Sequence, residues 1–287
     1  MKNLKQIIKE AEDNKVAVGH FNISNIEGLW AIFNSARELN LPVIIGASEG
    51  EREFFGTKQV VDIVKSIREQ FNYPIYSNAD HCHSYESFKE AVDSGFDAVI
   101  IDGSKLSIEE NIEITKRCVA YARSVNNEIL VEGEIGYIGG SSKILEEIPE
   151  GLALGEMITS VENAKKFVDE TSIDLFSPAV GNLHGMLKDM KNPDLNIERI
   201  KEIKNAIGIP VVLHGGSGIS NSDFVSAIEN GISIVHINTE IRLAYRKSLE
   251  KSLKGNTDEI APYKIMKPVV DSMKEVVKNR LELFSGM

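Results

Sequence analysis

Strand-like and helix-like segments alternate along this chain, and that alternation limits its possible folds more than any other feature. Eight short runs rich in β-branched and apolar residues occur at 16–23, 42–48, 74–80, 98–104, 128–136, 174–180, 210–216 and 233–240. Segments with helical periodicity separate them, at 24–40, 56–71, 84–95, 108–126, 160–171, 196–206 and 221–231. This order predicts parallel strands joined by right-handed helical crossovers. Eight units favour a closed (β/α)8 TIM barrel of the α/β class over an open doubly wound sheet, and no G-x-G-x-x-G follows the first run.

The same pattern predicts a single domain over residues 1–287. This length suits one such barrel, and no polar linker, low-complexity tract or charge block divides the chain. Two further helical segments, at 239–254 and 265–284, are interpreted as a C-terminal helical extension of the barrel. No apolar stretch follows the first lysines as it would in a signal peptide. The N-terminal segment is instead expected to be an amphipathic helix whose apolar residues are Leu4, Ile7, Ile8 and Ala11.

Charge and cysteine content exclude several classes of function. The formal net charge is −11, and no basic run or basic stripe is present, so neither nucleic acid nor an anionic membrane is an expected partner. No apolar run approaches the ~18 residues of a transmembrane helix. Two cysteines, Cys82 and Cys118, are too few for a disulfide framework and favour a cytoplasmic location. Cys82 is disfavoured as a zinc ligand because no second cysteine lies at C-x2–4-C spacing.

Polar and ionisable residues cluster at the C-terminal ends of the predicted strands, where barrel enzymes place their active sites. They are Asn22, Ser48, Asp80, His81, Asp102, Glu132, Glu134, His184, His214 and Asn238. Buried carboxylates and imidazoles at so many strand ends would be costly without partners or a metal. Any one of them could be a loop residue that caps a helix, and Ser24, Ser84 and Ser220 are interpreted as such N-caps. As a set, the polar residues predict a catalytic pocket.

Three histidines from separate strand ends, His81, His184 and His214, can converge as a zinc site. Three imidazoles leave a fourth coordination position open for water or substrate, as catalytic zinc requires. Asp80 directly precedes His81 and is expected to hold or transfer a proton beside the metal. The alternative for this pair is an N-cap followed by a surface histidine.

Three carboxylates are predicted to lie near these histidines. Glu132 and Glu134 share one face of the fifth strand through their i, i+2 spacing, and Asp102 ends the neighbouring fourth strand. Like charges on one face repel unless a cation lies between them. The trio therefore predicts either a second cation site or side chains that support the histidines, with a salt bridge to a barrel lysine as the remaining alternative.

Glycine-rich turns after the later strands predict a phosphate site. Loops after the seventh and eighth strands, with a helix N-terminus, are the usual phosphate-binding position of this barrel. The candidates are His184-Gly185 with Lys188, Gly215-Gly216-Ser217 and Asn238-Thr239. The irregular stretch 137–158 is long enough to predict an active-site lid. Three further histidines are interpreted as hydrogen-bonded pocket or core residues, namely His20, His83 and His236.

Six motifs, in this order and spacing, resemble the zinc-dependent class II aldolases: ADHCHS, VIIDGS, VEGEIGYIGG, AVGNLHG, VVLHGGSG and INTE. The likeness extends from FNISN at 21–25 to the C-terminal MKEVVKNRL segment. It implies reversible cleavage of a ketose 1,6-bisphosphate, fructose or tagatose with fructose favoured. The products are dihydroxyacetone phosphate and glyceraldehyde 3-phosphate, formed through a zinc-stabilised enediolate. It also implies a homodimer or homotetramer, in which Lys267 could reach a neighbour's site.

The resemblance further implies roles for individual residues. The family's three zinc ligands correspond to His81, His184 and His214. Asp80 matches the acid that protonates the aldehyde-derived oxygen at the breaking C3–C4 bond, and Glu134 matches a carboxylate that accompanies the zinc. Asp102 and Glu132 match residues near a second cation. The phosphate cradle corresponds to Gly185, Lys188, Gly215, Ser217 and Thr239, with Asn238 beside it. The predicted substrate pocket is completed by Asn22, Ser48, Gly216 and His236.

Two positions depart from the family's pattern. The lid after G-x-x-G-G normally carries a glutamate that moves the C1 proton of dihydroxyacetone phosphate, and Ser141 and Ser142 stand there instead. Serine is not a base near neutral pH without an activating neighbour, which leaves His236, Glu146 or Glu147 as replacements. His236 itself replaces the eighth-strand asparagine that contacts the substrate. A metal-dependent isomerase or epimerase, and a non-catalytic phosphosugar-binding relative, are therefore the alternative hypotheses.

Overall fold

Eight parallel strands close into a barrel in a computed structural model that describes residues 1–140, 142–148, 158–188, 190–255 and 257–287. The described residues form ten strands, eight in the barrel and two outside it: β1 Val18–Asn22, β2 Val43–Ala47, β3 Ile75–Cys82, β4 Ala98–Ile101, β5 Leu130–Ile135, β6 Ile144–Leu145, β7 Leu175–Pro178, β8 Met186–Leu187, β9 Val211–Leu213 and β10 Ile232–Ile237. Around the barrel the order is β1, β10, β9, β7, β5, β4, β3 and β2, so successive barrel strands are neighbours. The predicted TIM barrel is confirmed, and β6 and β8 pair separately outside it.

Helices connect the strands on the outside of the barrel. They are α1 Leu4–Asp13, α2 Ile26–Leu39, α3 Glu49–Phe55, α4 Thr57–Phe71, α5 Tyr85–Ser94, α6 Ile108–Val125, α7 Val161–Thr171, α8 Ile197–Ile207, α9 Asn221–Glu229, α10 Thr239–Gly255 and α11 Pro262–Ser285. All the helical segments expected from periodicity are confirmed, with ends that differ by a few residues. Periodicity does not predict α3, which is only seven residues long.

Side-chain caps begin most of the connecting helices. Ser84 and Ser220 accept backbone amides at the starts of α5 and α9, as predicted. The prediction for Ser24 is wrong, because the chain stays extended for one more residue and the side chain of Asn25 caps α2 instead. The Ser24 hydroxyl is used elsewhere and donates to Glu51 at 3.1 Å.

Apolar residues fill the N-terminal end of the barrel and close it. Residues near the strand starts form one buried cluster with the apolar face of α1; its strand members are Val18, Ile44, Tyr76, Ala98, Leu130, Leu175, Val212 and Ile234. The α1 members are Leu4, Ile7, Ile8 and Ala11, as the amphipathic pattern predicts. The Tyr76 hydroxyl donates to the backbone carbonyl of Lys2 and ties this segment to β3. Apolar packing therefore closes the end of the barrel opposite to the strand ends that carry the predicted site residues.

The two last helices pack against the outside of the barrel. α11 lies against α2 and α10, and the Ser35 hydroxyl of α2 donates to the backbone carbonyl of Lys274 at 2.9 Å. The buried face of α11 consists of Val269, Met273, Val277, Leu281 and Phe284. These contacts support a single domain over residues 1–287 with a C-terminal extension, which stays a prediction. Among the described helices, none combines the length and apolar character needed to cross a bilayer.

Candidate metal centre and active site

A cavity of about 520 Å³ opens at the C-terminal end of the barrel. Most of the predicted site residues line it, namely Asn22, Ser48, Asp80, His81, Asp102, Glu134, His184, Gly185, His214, Gly215, Gly216, Ser217, His236, Asn238 and Thr239. Glu132 is fully buried behind this lining, hydrogen-bonded to His214. Lys188 is not brought into the cavity, because its exposed amine pairs with Glu146 at 2.9 Å.

The three histidines predicted to bind zinc converge in this cavity. One ring nitrogen from each of His81, His184 and His214 lies within 4.8 Å of the others. His214 Nδ1 and His81 Nε2 are 3.2 Å apart. Two imidazole nitrogens bound to a tetrahedral zinc at about 2.0–2.1 Å would be about 3.4 Å apart. The spacing of these rings therefore fits a single ion between them.

Each of the three imidazoles is held through its other ring nitrogen. The acceptors are Asp102 Oδ2 on His81 Nδ1 at 3.0 Å, the Gly139 carbonyl on His184 Nδ1 at 2.9 Å and Glu132 Oε1 on His214 Nε2 at 2.8 Å. Such an acceptor fixes the tautomer and leaves the lone pair of the other nitrogen free for a metal. Of the roles left open for Asp102 and Glu132 by the sequence, this geometry favours support of the histidines.

The negative charge of the carboxylates around the rings favours a bound proton or cation at this site. Burial lowers the pKa of His81, but the charge of Asp80, the hydrogen bond to Asp102 and the charge of Glu134 raise it to about 10. Burial and the Asp102 charge raise the pKa of Glu134 to about 7. Metal ligands must be deprotonated, so a bound cation would take the place of these protons. Glu132 Oε2 and Glu134 Oε2 have no hydrogen-bond partner among the described residues and could serve as further oxygen ligands.

An irregular end of β3 turns both Asp80 and His81 into the cavity. Adjacent side chains of a regular strand face opposite ways. Here His81 has a φ of 52°, in the left-handed region, and the register with β4 shifts between Ala79 and Cys82. A left-handed residue costs about 1–2 kcal/mol, and it breaks the alternation. The expectation that the chain bends here and brings both side chains to one cavity is confirmed.

Asp80 presents a free carboxylate oxygen next to the histidine cluster. Asn22 donates to Asp80 Oδ2 at 2.8 Å, whereas Asp80 Oδ1 has no hydrogen-bond partner among the described residues. Burial raises the pKa of this carboxyl, but the charge of His81 and the contact with His236 outweigh burial and hold the pKa well below its usual range. The group is therefore ionised.

His20 and His236 stack in parallel beside this carboxylate. Their ring centroids are 3.4 Å apart with 4° between the planes, and His236 also stacks on His214 at 4.0 Å. Burial lowers the pKa of His20 to about 4 and also lowers that of His236. One ring nitrogen of each lies within 4.8 Å of Asp80. Imidazole lone pairs lie in the ring plane, so two parallel rings direct them side by side and not toward one ion.

The three histidines interpreted as hydrogen-bonded pocket or core residues differ in their surroundings. His236 lines the cavity, and His20 is wholly buried in the core. His20 is thus a core histidine, as one of the two expectations has it, although neither of its ring nitrogens has a hydrogen-bond partner among the described residues. His83 is half-exposed at the cavity rim, with Nδ1 3.3 Å from Asp102.

At two of the predicted glycine turns, only glycine fits, because another backbone segment passes close to its Cα. Gly185 and Gly215 have φ angles of 113° and 61°. A Cβ on Gly185 would lie 2.6 Å from the Lys143 carbonyl oxygen, and one on Gly215 would lie 2.4 Å from that of Leu183. Any other residue would therefore clash with backbone as well as strain φ.

The N-terminus of α10 forms the rest of the phosphate candidate. The Ser217 hydroxyl accepts the backbone amides of Asn238 and Glu240 at 3.4 and 3.2 Å, which joins the loop after β9 to the first turn of the helix. Thr239, the first residue of α10, lines the cavity. The dipole of the helix makes such a helix start suitable for a phosphate.

Cationic side chains that the sequence interpretation missed also line the cavity: Lys105, Lys143 and Arg242. Arg242 pairs with the buried Glu51, which also accepts a hydrogen bond from Asn22 at 2.8 Å. Two sequence signals could have found this pair. Arg242 follows Thr239 by three residues on one helical face, and Ser48 with Glu51 has the spacing of a capping box, which the structure forms.

The predicted lid over 137–158 lies partly outside the described residues, which omit Ser141 and 149–157. Within the described part, Tyr137, Gly139, Gly140, Ser142 and Lys143 line the cavity. β6 pairs in parallel with β8, which places this segment against the loop that carries Gly185. Of the groups that could replace the family's lid glutamate, Glu146 pairs with Lys188 and Glu147 is exposed. His236 is the candidate that lines the cavity.

A closed (β/α)8 barrel that gathers three imidazoles and a free carboxylate at its C-terminal end has the architecture of a metal-dependent barrel enzyme. The sequence matches the family model described as fructose-bisphosphate aldolase class-II over residues 2–286. The chain therefore belongs to the class II fructose-bisphosphate aldolase family, and the resemblance drawn from the six motifs is confirmed.

Similar proteins cover the chain almost completely. A fructose-bisphosphate aldolase of Staphylococcus epidermidis is 35% identical over 285 residues, which are 98% of this chain and 96% of that protein. A fructose-bisphosphate aldolase of Geobacillus stearothermophilus is 36% identical over 287 residues, with 99% and 96% covered. The crystal structure of the YdjI aldolase from Escherichia coli K12 has a TM-score of 0.81 at 27% identity, with 99% and 97% covered.

Proposed function

We propose that this protein reversibly cleaves fructose 1,6-bisphosphate into dihydroxyacetone phosphate and glyceraldehyde 3-phosphate in a metal-dependent reaction. The observation that carries the proposal is the convergence of three imidazoles beside the free oxygen of Asp80. Membership of the class II aldolase family supports it, as do relatives at 35% and 36% identity that are named fructose-bisphosphate aldolases.

We infer that the metal is zinc and that its ligands are His81, His184 and His214. Three imidazoles with an open fourth position suit catalytic zinc. Bound there, the ion would supply Lewis-acid stabilisation of the negative charge that develops on the substrate's ketone oxygen. Asp102 and Glu132, bonded to His81 and His214, would keep those two rings directed at the ion. A second cation would use the Oε2 atoms of Glu132 and Glu134, and Glu134, whose Oε2 lies 3.9 Å from His214 Nδ1, would accompany the zinc.

Asp80 carries the proton at the bond that breaks. In the cleavage direction its free Oδ1 accepts the proton of the C4 hydroxyl, the C3–C4 bond breaks, and the bonding electrons move to C3 and its neighbouring carbonyl. In the condensation direction Asp80 returns the proton to the aldehyde-derived oxygen. The hydrogen bond from Asn22 to Oδ2 fixes the carboxylate for this transfer. A positioned acid–base group of this kind contributes about 10²–10⁴-fold to rate.

The phosphate of the dihydroxyacetone half is assigned to the cradle of Gly185, Gly215, Gly216, Ser217 and the N-terminus of α10, with Asn238 and Thr239. Ser48 and the cationic side chains Lys105, Lys143 and Arg242 complete the cavity. These cations supply the local positive charge that a chain of net charge −11 needs to hold a bisphosphate. Lys188 has no part in this assignment because it faces Glu146 outside the cavity.

His236 is assigned the proton at C1 of dihydroxyacetone phosphate, in place of the family's lid glutamate. It lines the cavity, whereas Glu146 and Glu147 do not. The test is the exchange of the C1 proton of dihydroxyacetone phosphate in deuterated water, followed by NMR. His236→Asn restores the family's residue and retains a polar contact, but it removes the base, so exchange should fall while phosphate binding persists. Undiminished exchange would exclude His236.

We also propose a cytoplasmic location and a homo-oligomeric assembly for this protein. Cys82 and Cys118 are both free and buried, which supports a reducing cytoplasm. We expect a homodimer or homotetramer, with a phosphorylated ketose as the small-molecule partner and neither nucleic acid nor a membrane involved. Light scattering on the purified chain measures the assembly.

The function is tested by incubating zinc-loaded protein with a panel of phosphorylated ketoses and identifying the products by mass spectrometry. Release of triose phosphates from fructose 1,6-bisphosphate, and their absence with His81→Ala, is the expected result. A new ketose phosphate without any triose would favour an isomerase or epimerase. Thermal stabilisation by the ligand with no turnover would indicate a phosphosugar-binding protein.

A further inference from the structure

The short helix α3 carries two buried charged residues in a position that the sequence patterns do not explain. It lies between β2 and α4, and Glu51 and Arg52 on it are 5% and 4% exposed. Glu51 pairs with Arg242 and accepts a hydrogen bond from Asn22, and both of these residues line the cavity. Arg52 points to the other side of the cavity wall, toward the end of β3.

The guanidinium of Arg52 contacts the chain on both sides of His81. It donates to the backbone carbonyl of Asp80 at 3.1 Å and to Cys82 Sγ at 3.4 Å. It also donates to the Ala47 carbonyl and, at 3.3 Å, to the Ser87 hydroxyl. All four acceptors are uncharged. Burying a charged guanidinium costs free energy, and neutral acceptors offset that cost less than a carboxylate would. A structural role for Arg52 would explain why it is buried at this position.

The end of β3 is the segment that needs to be held. His81 has a φ of 52°, and the strand slips register around it. Relaxation to an extended backbone would restore alternation and turn either Asp80 or His81 away from the cavity. A second contact from α3 acts just beyond this point, where Glu49 accepts the backbone amide of His83 at 2.9 Å. The helix therefore contacts the chain directly before and directly after the left-handed residue.

We propose that α3 clamps the end of β3 and that Arg52 is the positioning residue that holds Asp80 and His81 together in the cavity. This inference rests on the proposed function, because it gives those two side chains their roles in proton transfer and metal binding. A planar guanidinium can donate in several fixed directions at once, whereas the single ammonium of lysine cannot reproduce them. Arg52 touches neither substrate nor metal in this account.

The test compares zinc affinity in Arg52→Met, Arg52→Lys and a matched control, Arg68→Met. Arg68 holds the opposite end of the same strand, since its Nε donates to the Ile75 carbonyl at 2.7 Å. Zinc affinity is measured by competition with a chromophoric chelator. We expect Arg52→Met to bind zinc about 10–100-fold more weakly than the parent, as observed when supports of metal ligands are removed. Arg52→Lys should fall in between, and Arg68→Met should bind zinc as the parent does.

Turnover provides a second readout, because a merely structural role would not lower kcat while leaving KM unchanged. In Arg52→Met, kcat for fructose 1,6-bisphosphate should fall about 10–100-fold while KM changes little, because the phosphate cradle lies on other strands. Equal zinc affinity in Arg52→Met and Arg68→Met would overturn the proposal. If Arg52→Met does not fold, equal zinc affinity in Arg52→Lys and Arg68→Met would overturn it instead. Zinc affinity needs no turnover, so a parent protein without aldolase activity would refute the proposed function and leave this comparison intact.

Discussion

At the scale of single residues, the site depends on which nitrogen of each histidine is already bonded. The sequence could predict that His81 and His214 meet near carboxylates, because the strand ends of a barrel converge. It could not predict that Asp102 bonds His81 and Glu132 bonds His214, since ring rotamers are set by packing around each strand end. These bonds orient the two imidazoles as the proposed zinc site requires.

Removal of one such acceptor should weaken the metal site without dismantling the fold. In Asp102→Asn the side chain keeps its shape but loses the charge that directs the His81 ring. We expect zinc affinity to fall about 10–100-fold, measured by equilibrium competition with a chelator. Asp174→Asn, which removes a carboxylate bonded to Arg123 elsewhere in the structure, serves as the control. An Asp102→Asn protein that binds zinc as tightly as the parent would contradict this role.

The space for the His20 ring is supplied by Gly46. A Cβ at position 46 would lie 2.1 Å from His20 Cε1, and the stack on His236 leaves the ring little room to move. Gly46→Ala should therefore lower the free energy of unfolding by about 1–3 kcal/mol, measured by urea denaturation. His20→Ala removes the obstacle, so the double variant should be more stable than the sum of the two single changes predicts. Simple additivity would show that the ring is not the cause.

At the scale of elements, the amphipathic pattern of α1 predicts a helix with one buried face, but it does not say what that face covers. The structure places it across the N-terminal end of the barrel. The strands and longer helices could be predicted because each repeats its pattern over several residues. α3 and the β6–β8 pair could not, because seven and two residues are too short for a period to be visible. These short elements hold the strand end and the lid segment, so the sequence interpretation missed the supports of the site more than the site itself.

The link between α1 and the barrel should depend on pH through Tyr76. Burial raises the pKa of this tyrosine from 10.0 to about 12. A raised folded-state pKa means that its contribution to stability is complete below pH 10 and is lost as the pH rises through about 12. Tyr76→Phe should cost about 1 kcal/mol at pH 8 through the lost bond to the Lys2 carbonyl, and the difference from the parent should shrink at pH 11.

Urea denaturation at pH 8, 10 and 11 measures this dependence. The exposed Tyr263 provides the control, because Tyr263→Phe should follow the parent at every pH. A constant difference between Tyr76→Phe and the parent across this range would show that the buried hydroxyl does not titrate with folding.

At the scale of the whole molecule, the barrel combines a strongly acidic chain with a cavity that carries its own cations. The alternation of strands and helices was sufficient to predict the closed barrel and the end at which its polar residues gather. It was not sufficient to predict that Lys105, Lys143 and Arg242 face the cavity while Lys188 faces away. Those orientations depend on loop geometry and helix phase, which a single sequence does not specify.

The central claim, that three imidazoles hold the ion on which C–C cleavage depends, is tested most directly by zinc titration. Metal-free protein, prepared with a chelator, is titrated with zinc while bound zinc and triose phosphate release from fructose 1,6-bisphosphate are measured in the same samples. We expect no cleavage without metal, activity that rises in proportion to bound zinc up to one ion per chain, and neither tight binding nor cleavage in His81→Ala. Full cleavage by the metal-free protein, or by His81→Ala, would contradict it.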